Sequence, residues 1–168
     1  VCDPPLFAVA DGVGGAQAGE IASRLAAAAL EGRPAGSFGT DTLTELILEA
    51  NNRIYARALG DPEAAGLGTV VTALLVDEPS GTIAVGHVGD SRAYRIRNGV
   101  LEQLTPDHSL VGELVRAGRL SNEEAEQHPH RSVITRAVGT EPVVEVHTET
   151  LGALPGDDRL GPLESEHD

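Results

Sequence analysis

TVVTALLVDEPSGTIAVGHVGDSRAYRIRNGVLEQLT, residues 69–105, decides the fold. Thr69–Asp77 is apolar and β-branched, of strand length, and Glu78-Pro-Ser-Gly81 reads as a turn. Thr82–Val88 is a second strand. Ala93–Arg97 and Val100–Thr105 flank Asn98-Gly99, a pair that favours the tight turn of a hairpin. The stretch therefore predicts an antiparallel meander. Upstream, Leu6–Ala10 is a short apolar run of buried-strand type, followed by Asp11-Gly-Val-Gly-Gly15, which reads as a turn. Ala16–Glu31 is rich in Ala and Leu and predicts a helix with Ile21, Leu25 and Ala28 or Ala29 on one face. After a Gly32–Gly39 loop, Asp41 is placed to cap a helix over Thr42–Leu59, with Gly60 ending it. Its positions Leu43, Leu46, Ile47, Ala50 and Ile54 keep the helical period. Downstream, Ser109–Ala117 and Asn122–Gln127 read as short helices, the second capped by Ser121. Val133–Val138 and Val143–Thr150 read as extended, and from Gly152 the chain is polar and acidic. Helices first and hairpin strands after them argue an α+β fold rather than a doubly wound parallel sheet.

The 168 residues are enough for one domain with an aliphatic core, since aromatic residues make up 2%. A net charge of −14 repels phosphate backbones and anionic membranes, and few aromatic faces exist for base stacking. Nucleic acid is thereby excluded as the expected partner. No apolar run approaches the roughly 20 residues of a membrane span. Cys2 is the single cysteine, so internal disulfides and Cys-rich zinc sites are excluded, and a reducing, cytoplasmic setting is expected. With no Met, and Val1 in mid-pattern, the chain is expected to be a piece of a longer gene product.

Several residues are placed for chemistry. Asp11 with Gly12, Gly14 and Gly15, between a strand and a helix, suggests a phosphate cradle. The dinucleotide fingerprint fails, since Gln17 stands where the third glycine belongs, and no Gly-Lys-Ser/Thr is present. The Asp11 carboxylate would repel an anion unless a cation lay between them, and hard divalent ions take carboxylate and carbonyl oxygens. The same pattern also suits an Asp capping the next helix, with glycines for a tight turn. Gly89-Asp-Ser-Arg92 allows two readings, a metal-edge carboxylate at Asp90 or a strand turn with a surface ion pair. His128-Pro-His130 lacks a helical His pair and reads as a polar loop, and His108 reads as loop or site edge.

The runs FAVADGVGG, GLGTVVTALLV, VGHVGDSRAYRIRNGVLEQLTPDHSLV and GRLSNEEAEQHPHRSVITRAVG occur in that order. Together they resemble the bacterial branch of the metal-dependent (type 2C, PPM) serine/threonine protein phosphatases, over about Leu6 to Leu160. The resemblance implies a partial α-β-β-α sandwich of two antiparallel sheets flanked by helices. It implies two Mg²⁺ or Mn²⁺ ions whose shared water attacks phosphoserine or phosphothreonine, and a third, weaker ion. Asp11 then matches the bridging carboxylate, Gly12 a carbonyl ligand and Asp90 the third-ion position. Asp107, His108 and Ser109 open the flap, about Asp107–His130, that borders the site. Gly68-Thr69 matches a strand start without chemistry. Partners would be phosphorylated proteins of a serine/threonine kinase.

The chain also departs from the family pattern. The Arg and the Asn-Glu-Asp run of the first strand would precede Val1, and neither is present. The later Ser-Asp-Gly and Asp-Asn are absent from the tail DDRLGPLESEHD. A phosphatase domain over residues 1–160 with a divergent acidic tail over 161–168 is therefore expected, incomplete at both ends and by itself inactive. The alternative is a non-catalytic module that binds phosphoproteins or kinases. An aspartyl-phosphate hydrolase would need a second Asp at Val13, and a nucleotide-binding enzyme would need the fingerprints that fail.

Overall fold

A computed structural model describes residues 1–14, 16–33, 35–60, 66–153 and 157–163. In chain order the elements are β1 (Cys2–Asp3), β2 (Leu6–Val13), α1 (Ala16–Glu31), α2 (Thr40–Gly60), β3 (Gly68–Asp77) and β4 (Thr82–Val88). β5 (Arg92–Arg97), β6 (Val100–Gln103), α3 (Leu110–Arg116), α4 (Asn122–Glu126), β7 (His147–Gly152) and β8 (Asp157–Leu163) follow. Two antiparallel sheets result, of order β1-β2-β3-β4-β7 and β6-β5-β8.

Alternation along the central strands sorts side chains between two cores. Leu6 and Ala8 of β2, Val71, Ala73 and Leu75 of β3, and Ala84 and Val88 of β4 pack on the helices. Leu74, Ile83, Val85 and Leu151 point the other way and meet Ala93 and Leu104 of the smaller sheet's side. α1 and α2 lie together on the outer face of the larger sheet. In α2 the expected positions Leu43, Leu46, Ile47, Ala50 and Ile54 are all buried, joined by Asn51. In α1 the buried stripe is Ala22, Ala26, Ala29 and Leu30, turned from the expected one, with Ile21 and Leu25 only partly covered. Small alanines face inward because α1 lies close on β2. A Cβ at Gly12 would overlap the Gly19 backbone.

Several expectations are corrected. β2 does not stop at Ala10; pairing of Gly12 with Thr69 and Val13 with Gly68 carries it through the stretch read as a turn. The turn begins at Gly14, whose φ is +99°. Asp41 sits inside the first turn of α2 rather than at its cap. The meander is split, with β4 and β5 in different sheets, because the chain corners at Gly89, φ +115°. Val133–Val138 is no strand. It makes only isolated bridges, Thr69 to Val138 and Ser109 to Ile134. β7 begins later than expected, and β8 pairs with β5 across the expected start of the acidic tail at residue 161. Residues 164–168 of that tail lie outside the described residues. The Asn98-Gly99 hairpin is borne out, with φ +51° and +76°, and so is the Ser121 cap, which forms a reciprocal capping box with Glu124.

Candidate active site

β2 delivers Asp11, half-buried, to the end of the larger sheet, where it pairs with Val70. Its neighbour Gly12 pairs with Thr69. The Thr69 amide donates to Val138 O (3.0 Å), and its carbonyl accepts from the Val138 amide (2.8 Å). The Gly12–Thr69 pair is therefore a non-hydrogen-bonded one, and the Gly12 carbonyl is directed away from β3. A carboxylate and an off-ladder carbonyl thus stand next to one another.

On the opposite side of Val70, β4 ends and the chain turns at Gly89, where a Cβ would overlap the Val70 side chain. This corner carries half-buried Asp90 from one sheet to the other. Asp11 and Gly89 flank β3, roughly 10 Å apart at two strand spacings. The corner is clasped from the flap. His108 donates its amide to Gly89 O (2.7 Å), and Gly89 donates its amide to His108 Nδ1 (3.0 Å). His108 is 4% exposed, so it is an internal fastener rather than an open flap residue. Because Nδ1 accepts, the neutral ring carries its proton on Nε2. Burial, then the nearby His87, pushes its pKa down to about 3. His87 lies 4.8 Å from it, ring to ring, and burial lowers its pKa to about 4. His87 Nε2 faces Pro106 O (3.0 Å), so that nitrogen holds the proton. Nδ1 lies 2.8 Å from the Thr72 hydroxyl, which donates to the Ser91 carbonyl at 2.8 Å.

The strand-turn reading paired Asp90 with Arg92. Instead Arg92 forks onto Asp107, Nε to Oδ1 (2.8 Å) and Nη2 to Oδ2 (2.5 Å), while Gln103 donates to Asp107 Oδ1 (3.1 Å). Arg116 donates to the Asp107 carbonyl (2.7 Å). Ser109 caps α3, accepting from the Gly112 amide (3.1 Å). Asp107 and His108 therefore fasten the flap to the sheet corner, and Ser109 caps the flap's first helix. Nothing in the sequence marked the Arg92–Asp107 fork, since its partners are fifteen residues apart. Between β5, α3 and α4 lies a cleft of about 920 Å³, lined by Asp90, Arg92, Asp107, Ser109, Arg116 and Arg131 among others. Ser91 is fully buried and unable to act as a nucleophile. His128 and His130 sit together outside both sheets, centroids 5.8 Å apart.

Carboxylate and carbonyl oxygens at Asp11 and Gly12 are the donors a hydrated divalent ion takes, and Mg²⁺ often uses only one or two protein carboxylates. Among the described residues, however, no three His, Cys, Asp or Glu side chains gather around a metal position. These residues suit part of a two-ion site, not the whole of one.

Residues 3–147 match the family model for protein phosphatase 2C. The chain belongs to the protein phosphatase 2C family. It is 38% identical over 151 residues to a serine/threonine phosphatase, stp, of Listeria monocytogenes, covering 86% of this chain and 59% of that protein. Its fold is similar to the crystal structure of the Mycobacterium tuberculosis serine/threonine phosphatase PstP/Ppp (TM-score 0.82, 39% identity). That match covers 90% of this chain and 65% of the other. A further similar structure, the catalytic domain of the serine threonine protein phosphatase PstP, was solved in complex with two manganese ions. It is similar at TM-score 0.76 and 36% identity, over 89% of this chain and 62% of that one. The chain thus spans about three-fifths of the length of such relatives.

Proposed function

We propose that this chain carries most of a phosphatase 2C domain that hydrolyses phosphoserine and phosphothreonine in proteins. The observation that carries this reading is the end of β2, where the Asp11 carboxylate and the off-ladder Gly12 carbonyl stand side by side. Two divalent ions, Mg²⁺ or Mn²⁺, would supply water activation and charge neutralisation of the phosphoryl oxygens. The manganese complex of a relative supports that identity. Asp11 would hold and bridge them with the Gly12 carbonyl as a further donor, and Asp90 would serve a third, weaker ion. With no three-donor cluster among the described residues, the 168 residues alone are expected to turn over poorly. Asp107, His108 and Ser109 would orient the flap over a phosphoprotein segment, the product of a serine/threonine kinase. No described helix is long and apolar enough to cross a membrane, and a cytoplasmic setting is proposed with nucleic acid excluded by charge.

A second reading, a non-catalytic binding module, is favoured by the lack of a three-donor cluster among the described residues. Hydrolysis of p-nitrophenyl phosphate and calorimetric Mn²⁺ titration, made on the protein with its full reading frame, separate the two. Asp11→Ala should abolish turnover and the tight sites. Asp90→Ala should lower turnover and leave two bound Mn²⁺. Turnover that survives Asp11→Ala, or is undiminished in EDTA, would refute the mechanism. A parent that binds phosphopeptide without turnover would establish the second reading.

A further inference from the structure

Asp11 is held from behind by groups that nothing above assigns to the chemistry. The hydroxyl of Thr69, fully buried, donates to the Asp11 carbonyl at 2.6 Å, the nearer of two acceptors, with Val70 O at 3.1 Å. That carbonyl shares one rigid peptide plane with the Gly12 amide. Fixing it sets ψ of Asp11, and with it the direction in which the carboxylate leaves the strand and the carbonyl of Gly12 follows. Both donors of the β2 end hinge on this one peptide.

Thr69 is itself gripped. Its amide and carbonyl are both taken by Val138, which is fully buried. The next residue, Gly139, has φ +92° and sits where a Cβ would overlap Ile54 of α2. Its amide donates to Asn51 Oδ1 (2.7 Å), and Asn51 Nδ2 donates to the Glu141 carbonyl (3.0 Å). Asn51, 1% exposed, is the one polar residue on the buried face of α2. A strap far along the sequence thus anchors Thr69 to the helix layer.

We propose that Thr69 is the positioning residue for Asp11, its hydroxyl fixing the Asp11–Gly12 peptide while the Asn51-anchored strap at Val138–Gly139 holds Thr69. The proposal rests on the reading of Asp11 as a metal ligand. It deepens that reading, because groups behind a metal ligand commonly change metal affinity by about 10–100-fold. Thr69→Val keeps the shape and removes the hydroxyl; Thr69→Ser keeps the hydroxyl.

The test is calorimetric titration of the full-length protein with Mn²⁺, alongside thermal melts and the ¹H–¹⁵N resonance of the Gly12 amide without metal. Thr69→Val should weaken Mn²⁺ binding about 10- to 100-fold and shift the Gly12 resonance. Thr69→Ser should do neither. Thr69→Val that binds Mn²⁺ as tightly as the parent overturns the proposal, and so does Thr69→Ser as weak as Thr69→Val. If Thr69→Val does not fold, the parent decides. A Thr69 hydroxyl proton protected from exchange, with a coupling across the hydrogen bond to the Asp11 carbonyl carbon, supports the bond, and a freely exchanging one refutes it. Equal Mn²⁺ binding by the parent and Asp11→Ala would instead overturn the metal reading of Asp11. The positioning claim would then be decided by the Gly12 resonance, which Thr69→Val must shift.

Discussion

Gly12 has two reasons to be glycine, and only one is chemical. Its carbonyl borders the candidate site, but its missing side chain is what lets α1 approach β2. A methyl there would overlap the Gly19 backbone, which cannot swing away as a side chain can. Gly12→Ala is therefore expected to cost about 3 kcal/mol, the upper end for overpacking. Urea midpoints compared at constant slope would measure it, and a loss below about 0.5 kcal/mol would show that the layers can part. At this scale the sequence was partly legible. Asp11 and Asp90 each kept a structural reading on spacing alone, as helix cap and as strand turn, and only the order of the four family-like runs singled them out. Thr69 did not stand out, because its role depends on which residue of β2 lies opposite, and register is set by partners that a linear reading does not pair.

The flap and the sheet corner share one buried fastening, and pH should act on it. His87 and His108 have folded pKa values of about 4 and about 3, against about 6.5 when unfolded. Between those limits the unfolded chain binds protons that the folded chain refuses. The stabilisation is complete above pH 6.5, shrinks as pH falls below it, and levels off near the folded values. For His87 alone the shift corresponds to on the order of 3 kcal/mol. A proton forced onto His108 Nδ1 would also meet the Gly89 amide head-on and undo the clasp. His108→Asn, which can still accept from Gly89, is expected to flatten the fall in urea midpoint between pH 7 and 5; an unchanged slope would remove His108 as its source. Elements with strong periodicity or turn chemistry, α1, α2, β4 and the Asn98-Gly99 hairpin, could be read from sequence within a residue or two. The β2 extension could not, since Asp-Gly-Val-Gly-Gly has turn composition and only pairing with β3 makes it a strand. Nor could the split at Gly89, because hairpin signals tell which strands are local neighbours and not which sheet they enter.

Taken whole, the molecule is strongly acidic, and like-charge repulsion keeps copies apart. One place works against this. β6 is the outermost strand of the smaller sheet, and Val100 and Leu101 on it are 66% and 62% exposed. An apolar outer strand invites pairing between copies. Val100→Thr with Leu101→Lys should reduce concentration-dependent light scattering and leave stability within about 0.5 kcal/mol. Unchanged scattering would clear β6 of blame. The order of strands in the larger sheet bears on another moment in the protein's life. During synthesis the ribosome releases β2, both long helices, β3 and β4 as one continuous stretch, and these adjacent pieces can assemble as they emerge. Their companion β7 is translated only after the second sheet's hairpin and the flap, several seconds later at about 5–20 residues per second. Through that interval the nascent chain shows the bare hydrogen-bonding edge of β4, a surface that the mature fold conceals and that a chaperone would have to shield.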